Sequence, residues 1–138
     1  MKDIDALREL AEKLRREVYF FSDGEDILGL SKALTDLANT NTSINVWVGK
    51  YRAEKVEKEE GLKYEREKIK SVLMAVEHMS AARAESEKIV RTKELADAYI
   101  KIYNRYSEMR DYHKDIDTVL DYGRSRLSAL KSEKESLS

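Results

Sequence analysis

The side chains of this chain that could do chemistry are two histidines, twenty-seven carboxylates and eight tyrosines, with no cysteine. Lack of cysteine removes the thiol nucleophile, the disulfide scaffold and the Cys-based zinc site together. His78 and His113 have no HxxxH or HExxH spacing, and neither follows a glutamate three residues earlier, as the ligands of a di-iron bundle do. The carboxylates alternate with Lys and Arg at i,i+4, the pattern of a solvated helix face. No glycine-rich phosphate loop is present, and no strand pattern would precede one. The expectation is a protein that is not an enzyme, with no catalytic residue, cofactor or metal.

A second kind of chemistry lies between residues 50 and 70. Lys50, Tyr51, Arg52, Lys55, Lys58, Lys63, Tyr64, Arg66, Lys68 and Lys70 interleave cations with tyrosines. Single-stranded nucleic acid is held by cations on phosphates and aromatic rings under bases. Glu54, Glu57, Glu59, Glu60, Glu65 and Glu67 lie among them and cancel most of that field, so composition by itself favours a solvated helix face.

The elements that position these residues are helices. Leu95, Tyr99, Ile102, Tyr106, Met109, His113, Ile116, Leu120, Gly123, Leu127 and Leu130 recur at alternating steps of four and three. A 3.5-residue repeat is the seam of a helix wound against another. A second seam runs through Ile27, Leu30, Leu34, Leu37, Asn41, Ile44, Val48, Tyr51, Lys55, Lys58, Leu62, Glu65, Ile69, Val72, Val76 and Met79. A shorter stripe of Ile4, Leu7, Ala11, Leu14, Val18 and Phe21 precedes both. The chain has no Pro and only five Gly, so little interrupts such helices. The reading is all-α: one domain over 1–138, with helices at 3–21, about 25–79 and about 81–133. The last two form a long antiparallel, coiled-coil-like hairpin, each arm about 80 Å long at 1.5 Å per residue. Ser22 with Glu25 has capping-box spacing for the second helix, Ser80 can cap the third, and residues 131–138 are expected to fray. The polar run 39–43 is either a break or a continuation that buries Asn41 to fix register or oligomeric state.

A hairpin needs only one apolar stripe, yet Ala33, Ala38, Trp47, Leu73, Ala75, Ala98, Tyr103, Tyr112 and Val119 add a flank. The first helix can cover it near the open end. Elsewhere the flank predicts a homo-oligomer, with Trp47, Asn41, Tyr103, Tyr112 and Val119 at the interface. Net charge is −1, against a generally basic nucleic-acid binder. The charged N-terminal segment fits neither a signal peptide nor a membrane span, which points to a cytoplasmic protein without a membrane partner.

The order of features resembles a known family. A short helix closes with Glu17-Val18-Tyr19-Phe20-Phe21. A long helix then carries Trp47 and reaches Leu62-Lys63-Tyr64-Glu65-Arg66, and a C-terminal helix ends in Arg126-Leu127-Ser128-Ala129-Leu130-Lys131. This layout resembles the UvsY-type recombination mediators of T-even and related phages, small helical proteins that form ring-like oligomers and bind single-stranded DNA. They load a recombinase in place of single-strand-binding protein. In that family a Leu-Lys step precedes an Arg two residues after the Lys. Here Lys63 matches the Lys, Arg66 comes three residues on, and Glu67-Lys68-Ile69-Lys70 replaces the family's tyrosine-glycine element. The resemblance implies DNA contacts by Lys63 and Arg66 from a solvated face, with Lys55, Lys58, Tyr64 and Lys68 nearby. It also implies a recombinase or single-strand-binding protein as partner, and the host cytoplasm as location if phage-encoded. The rival reading is a helical protein-interaction module, such as an adaptor, assembly chaperone or inhibitor, that binds no nucleic acid.

Overall fold

The computed structural model describes residues 3–137, and these are helical apart from short turns, with no strand among them. Helix α1 is Ile4–Asp23, α2 is Ile27–Ala75, α3 is Ala81–Arg91 and α4 is Lys93–Leu137. Asp3 caps α1 by accepting the Asp5 amide proton at 2.9 Å. The expected Ser22–Glu25 box does not form, because α1 runs on to Asp23 and carries Ser22 inside it, fully buried. Asp26 does the capping instead, its carboxylate accepting from Gly29 N–H at 2.9 Å. The turn before it rests on Glu25 in the left-handed region, φ 54°, a backbone cost of about 1–2 kcal/mol for a residue with a side chain.

Polar residues 39–43 do not break α2. The hydroxyls of Thr40, Thr42 and Ser43 donate back to the carbonyls of Asp36, Ala38 and Asn39, so each finds its partner inside the helix. At the other end α4 stays helical through Leu137 rather than fraying from 131.

The chain divides into two compact units. Unit 1, residues 1–48 and 108–138, contains α1 with the N-terminal part of α2 and the C-terminal part of α4. From α1 it buries Leu7, Ala11, Leu14 and Val18, from α2 Leu30, Leu34, Leu37 and Ile44, and from α4 Met109, Ile116, Val119 and Leu120. Each fully buried Leu, Ile or Val contributes about 1.5–3 kcal/mol. The α2 and α4 segments run antiparallel here, with Asn41 bonded to Asp117 and Glu25 3.8 Å from Arg126. All three helices close on Gly123: a Cβ there would collide with Leu34 and stand 3.0 Å from Val18 Cγ1.

Unit 2, residues 49–107, is an antiparallel pairing of α2 with α3 and the start of α4. Its buried apolar residues are Tyr51, Leu62, Leu73, Ala84 and Ile102. Ion pairs cluster around α3: Lys70 and Lys88 both hold Glu85, at 2.9 and 2.7 Å, and Arg91 reaches Glu87 at 3.1 Å. Glu85's carboxyl is accordingly held below its ordinary range, first by the Lys88 bond and then by Lys70. His78, φ 55°, turns the chain between α2 and α3.

Two expectations fail in unit 2. The C-terminal arm is not one helix from 81: it breaks at Thr92, which is 1% exposed. Thr92 Oγ1 donates to the Lys88 carbonyl at 2.7 Å and accepts from Arg66 Nε at 3.0 Å. The expected seam also slips. Leu73 is fully buried while Val72 and Val76 are 47% and 69% exposed, and Leu95 is 44% exposed beside buried Thr92. An added step of four from Leu62 to half-buried Arg66 moves the stripe one residue along, the geometry of a stutter.

Candidate binding surface

The interleaved segment 50–70 lies wholly on α2, so its residues are distributed around the helix at 100° steps rather than gathered. Lys55 is half-buried, its Nζ 5.1 Å from the Tyr106 ring centroid and 5.6 Å from that of Tyr103. Lys58 is exposed. Lys63, also exposed, has Glu59 at 3.9 Å, an exposed pair worth little in water. Tyr64 is 64% exposed and Lys68 is exposed. Arg66 departs from expectation: it does not project from a solvated face but is half-buried and committed to Thr92. The six predicted nucleic-acid residues thus form two groups. Lys63 and Lys68 stand exposed, whereas Lys55, Lys58, Tyr64 and Arg66 lie towards the α3–α4 side.

Pairing of the helices adds residues that the reading of 50–70 missed. Across from Tyr51 and Lys55, α4 presents Tyr103, Arg105 and Tyr106, with Tyr99 near Glu59 and Lys101 near Lys58, and the Arg105 guanidinium lies 5.7 Å from the Tyr51 ring centroid. Burial, with Glu59's charge second, raises the Tyr99 hydroxyl above its ordinary pKa. Two shallow hollows open along the pair. One of about 260 Å³ is lined by Glu54, Lys58, Ala98, Lys101, Ile102 and Arg105. The other, of about 280 Å³, includes Lys58, Gly61, Tyr64 and Leu95. The available signal was the stretch 98–107, which has two cations and no carboxylate.

No family model, curated protein or solved structure matches this chain.

The residues expected at an oligomer interface are largely used within unit 1. Asn41, 3% exposed, gives its Nδ2 to Asp117 Oδ1 at 2.9 Å, which turns its Oδ1 towards His113 Nδ1, also at 2.9 Å. An amide oxygen only accepts, so this nitrogen of His113 carries the proton. Val119 is 3% exposed. Tyr112 is half-buried and donates to Glu12 Oε1 at 2.7 Å. Asn41, Val119 and Tyr112 therefore belong to the fold of unit 1 rather than to a free surface. Trp47 is half-buried in the same unit, and only Tyr103, 43% exposed, stands open in unit 2. Among the described residues no group of three or more His, Asp or Glu is placed to hold a metal, and no helix is long and apolar enough to cross a membrane.

Proposed function

We propose that this protein is a helical protein-interaction module that self-associates through unit 2, the hairpin-like pairing of α2 with α3 and α4. One observation carries the reading. Among the described residues, unit 1 buries fifteen apolar side chains and leaves six large ones exposed, whereas unit 2 buries five and exposes ten. Val72, Val76, Ile89, Val90, Leu95 and Ile100 are each at least 44% exposed. Two helices with so small a core are weakly held, and apolar surface on this scale marks an interaction site. A second copy brings the same surface in an isologous arrangement and makes four helical layers from two. Sedimentation equilibrium at tens of micromolar is expected to show an oligomer. The double variant Val90→Glu with Ile100→Glu should shift it towards monomer with helicity intact. A strict monomer for the unaltered protein would overturn self-association.

A second reading, the mediator-type role of binding single-stranded DNA and assisting recombinase loading, is favoured by a different observation. Tyr64 stands exposed between exposed Lys63 and Lys68, with the cation–tyrosine layer of Lys55, Tyr103 and Tyr106 on the same unit. Because Arg66 is tied to Thr92, only Lys63 of the expected basic pair is available to a phosphate. Lys63→Ala should lower the slope of log K against log salt for a labelled oligonucleotide by about 0.7. Absence of binding by the unaltered protein at low salt would end this reading.

A further inference from the structure

We infer that the hollow between α2 and α4 in unit 2, bordered by Lys58, Lys101 and Arg105, is an oxyanion site that takes phosphate groups. Three cations from two helices face it against one carboxylate, Glu54, in a chain whose net charge is −1. Lys101 and Arg105 stand at i,i+4 on one helix, where like charges destabilise by a few tenths of a kcal/mol. Asp97 at i−4 from Lys101 and Glu108 at i+3 from Arg105 offset part of this through space, yet among the described residues neither Lys58, Lys101 nor Glu54 is in a direct ion pair or side-chain hydrogen bond. Cations without a direct carboxylate partner are the reverse of what surrounds α3, where Lys70, Lys88 and Arg91 each have one within 4 Å.

The neighbouring aromatics sharpen the site. The Arg105 guanidinium lies over Tyr51 at 5.7 Å, so it is oriented before any ligand arrives. Lys55, which could otherwise compete, has its ammonium over Tyr103 and Tyr106. Ile102, 6% exposed, lies at the base, and an apolar floor strengthens charge interactions above it. A hollow of about 260 Å³ is of the size for one or two phosphates rather than a large organic ligand. An arginine fork beside two ammonium groups matches a multiply charged tetrahedral oxyanion better than a single carboxylate. The phosphates can belong to a nucleic-acid strand or to a small phosphorylated molecule, and the site requires neither self-association nor a contact by Lys63.

Calorimetric titration with pyrophosphate, at ionic strength matched with sodium chloride, tests this. Binding is expected for the unaltered protein and for Lys63→Gln. In Lys101→Gln with Arg105→Gln it should weaken by about tenfold or more, the usual loss for charge-assisted hydrogen bonds. The double variant should fold, since both side chains are exposed and their mutual repulsion is removed; circular dichroism checks this. A parallel titration with a short oligothymidylate identifies the source. If it competes with pyrophosphate, the site takes the phosphates of a strand; if only pyrophosphate binds, it takes those of a small molecule. No pyrophosphate binding beyond the matched-salt control, or binding equally strong in the double variant, would overturn the inference.

Discussion

Tyr112 joins α4 to α1: its hydroxyl donates to Glu12 and its ring lies 5.0 Å from the Arg8 guanidinium. Burial first, and the Glu12 bond second, push that hydroxyl up to about 12, while the same bond is the main cause holding Glu12 below its ordinary value. The raised tyrosine contributes stability that is fully present below pH 10 and lost as pH climbs from about 10 to about 12. The lowered glutamate contributes above its unfolded value near 4.5 and loses that contribution as pH falls through its folded value. Tyr112→Phe should therefore cost about 1 kcal/mol at neutral pH and flatten both limbs. Thermal denaturation across pH for the two proteins measures it, and superimposable curves between pH 10 and 12 would contradict the assignment. Asn41 sits at the same scale. Its place in the apolar repeat was legible, but its partners His113 and Asp117 come from α4, and only packing shows that the residue serves this chain's own register.

For the long helices the sharpest test is the slipped seam of α2. Leu73→Ala should cost about 2–5 kcal/mol, as for a buried leucine, while Val72→Ala, at 47% exposure, should stay within about 0.5 kcal/mol. Denaturant midpoints that ranked the pair in the opposite order would restore the unbroken 3.5-residue repeat. That repeat was readable from Met109 to Leu130 because three helices converge there, which makes most positions of the stripe apolar. It misled between Leu62 and Leu95, where few apolar residues are buried and a stripe of lysines, glutamates and an arginine permits either phase. The break at Thr92 had no proline or glycine to announce it; a buried hydroxyl bonded to Arg66 marks it. The basic segment was legible on α2, but Lys101 and Arg105 join Lys58 only through antiparallel pairing, which no local window of sequence displays.

Across the molecule, the two units differ in what holds them. Unit 1 has a dense apolar core, whereas α3 in unit 2 buries only Ala84 of its apolar side chains and meets α2 through the Lys70–Glu85 pair. Segments with few buried apolar contacts open first. Amide hydrogen exchange should be fastest over residues 76–92 and should slow as protein concentration rises, if self-association covers unit 2. Equal protection of both units at every concentration would count against both the imbalance and the proposed interface. The exposed turn at His78 has a different consequence. Residues on each side of it contribute to unit 2, and unit 1 is likewise assembled from 1–48 and 108–138. A chain severed at His78 would leave two fragments, neither holding all the residues of either unit. Folding would then become a bimolecular encounter, and the turn is where this protein lends itself to a split-fragment complementation pair.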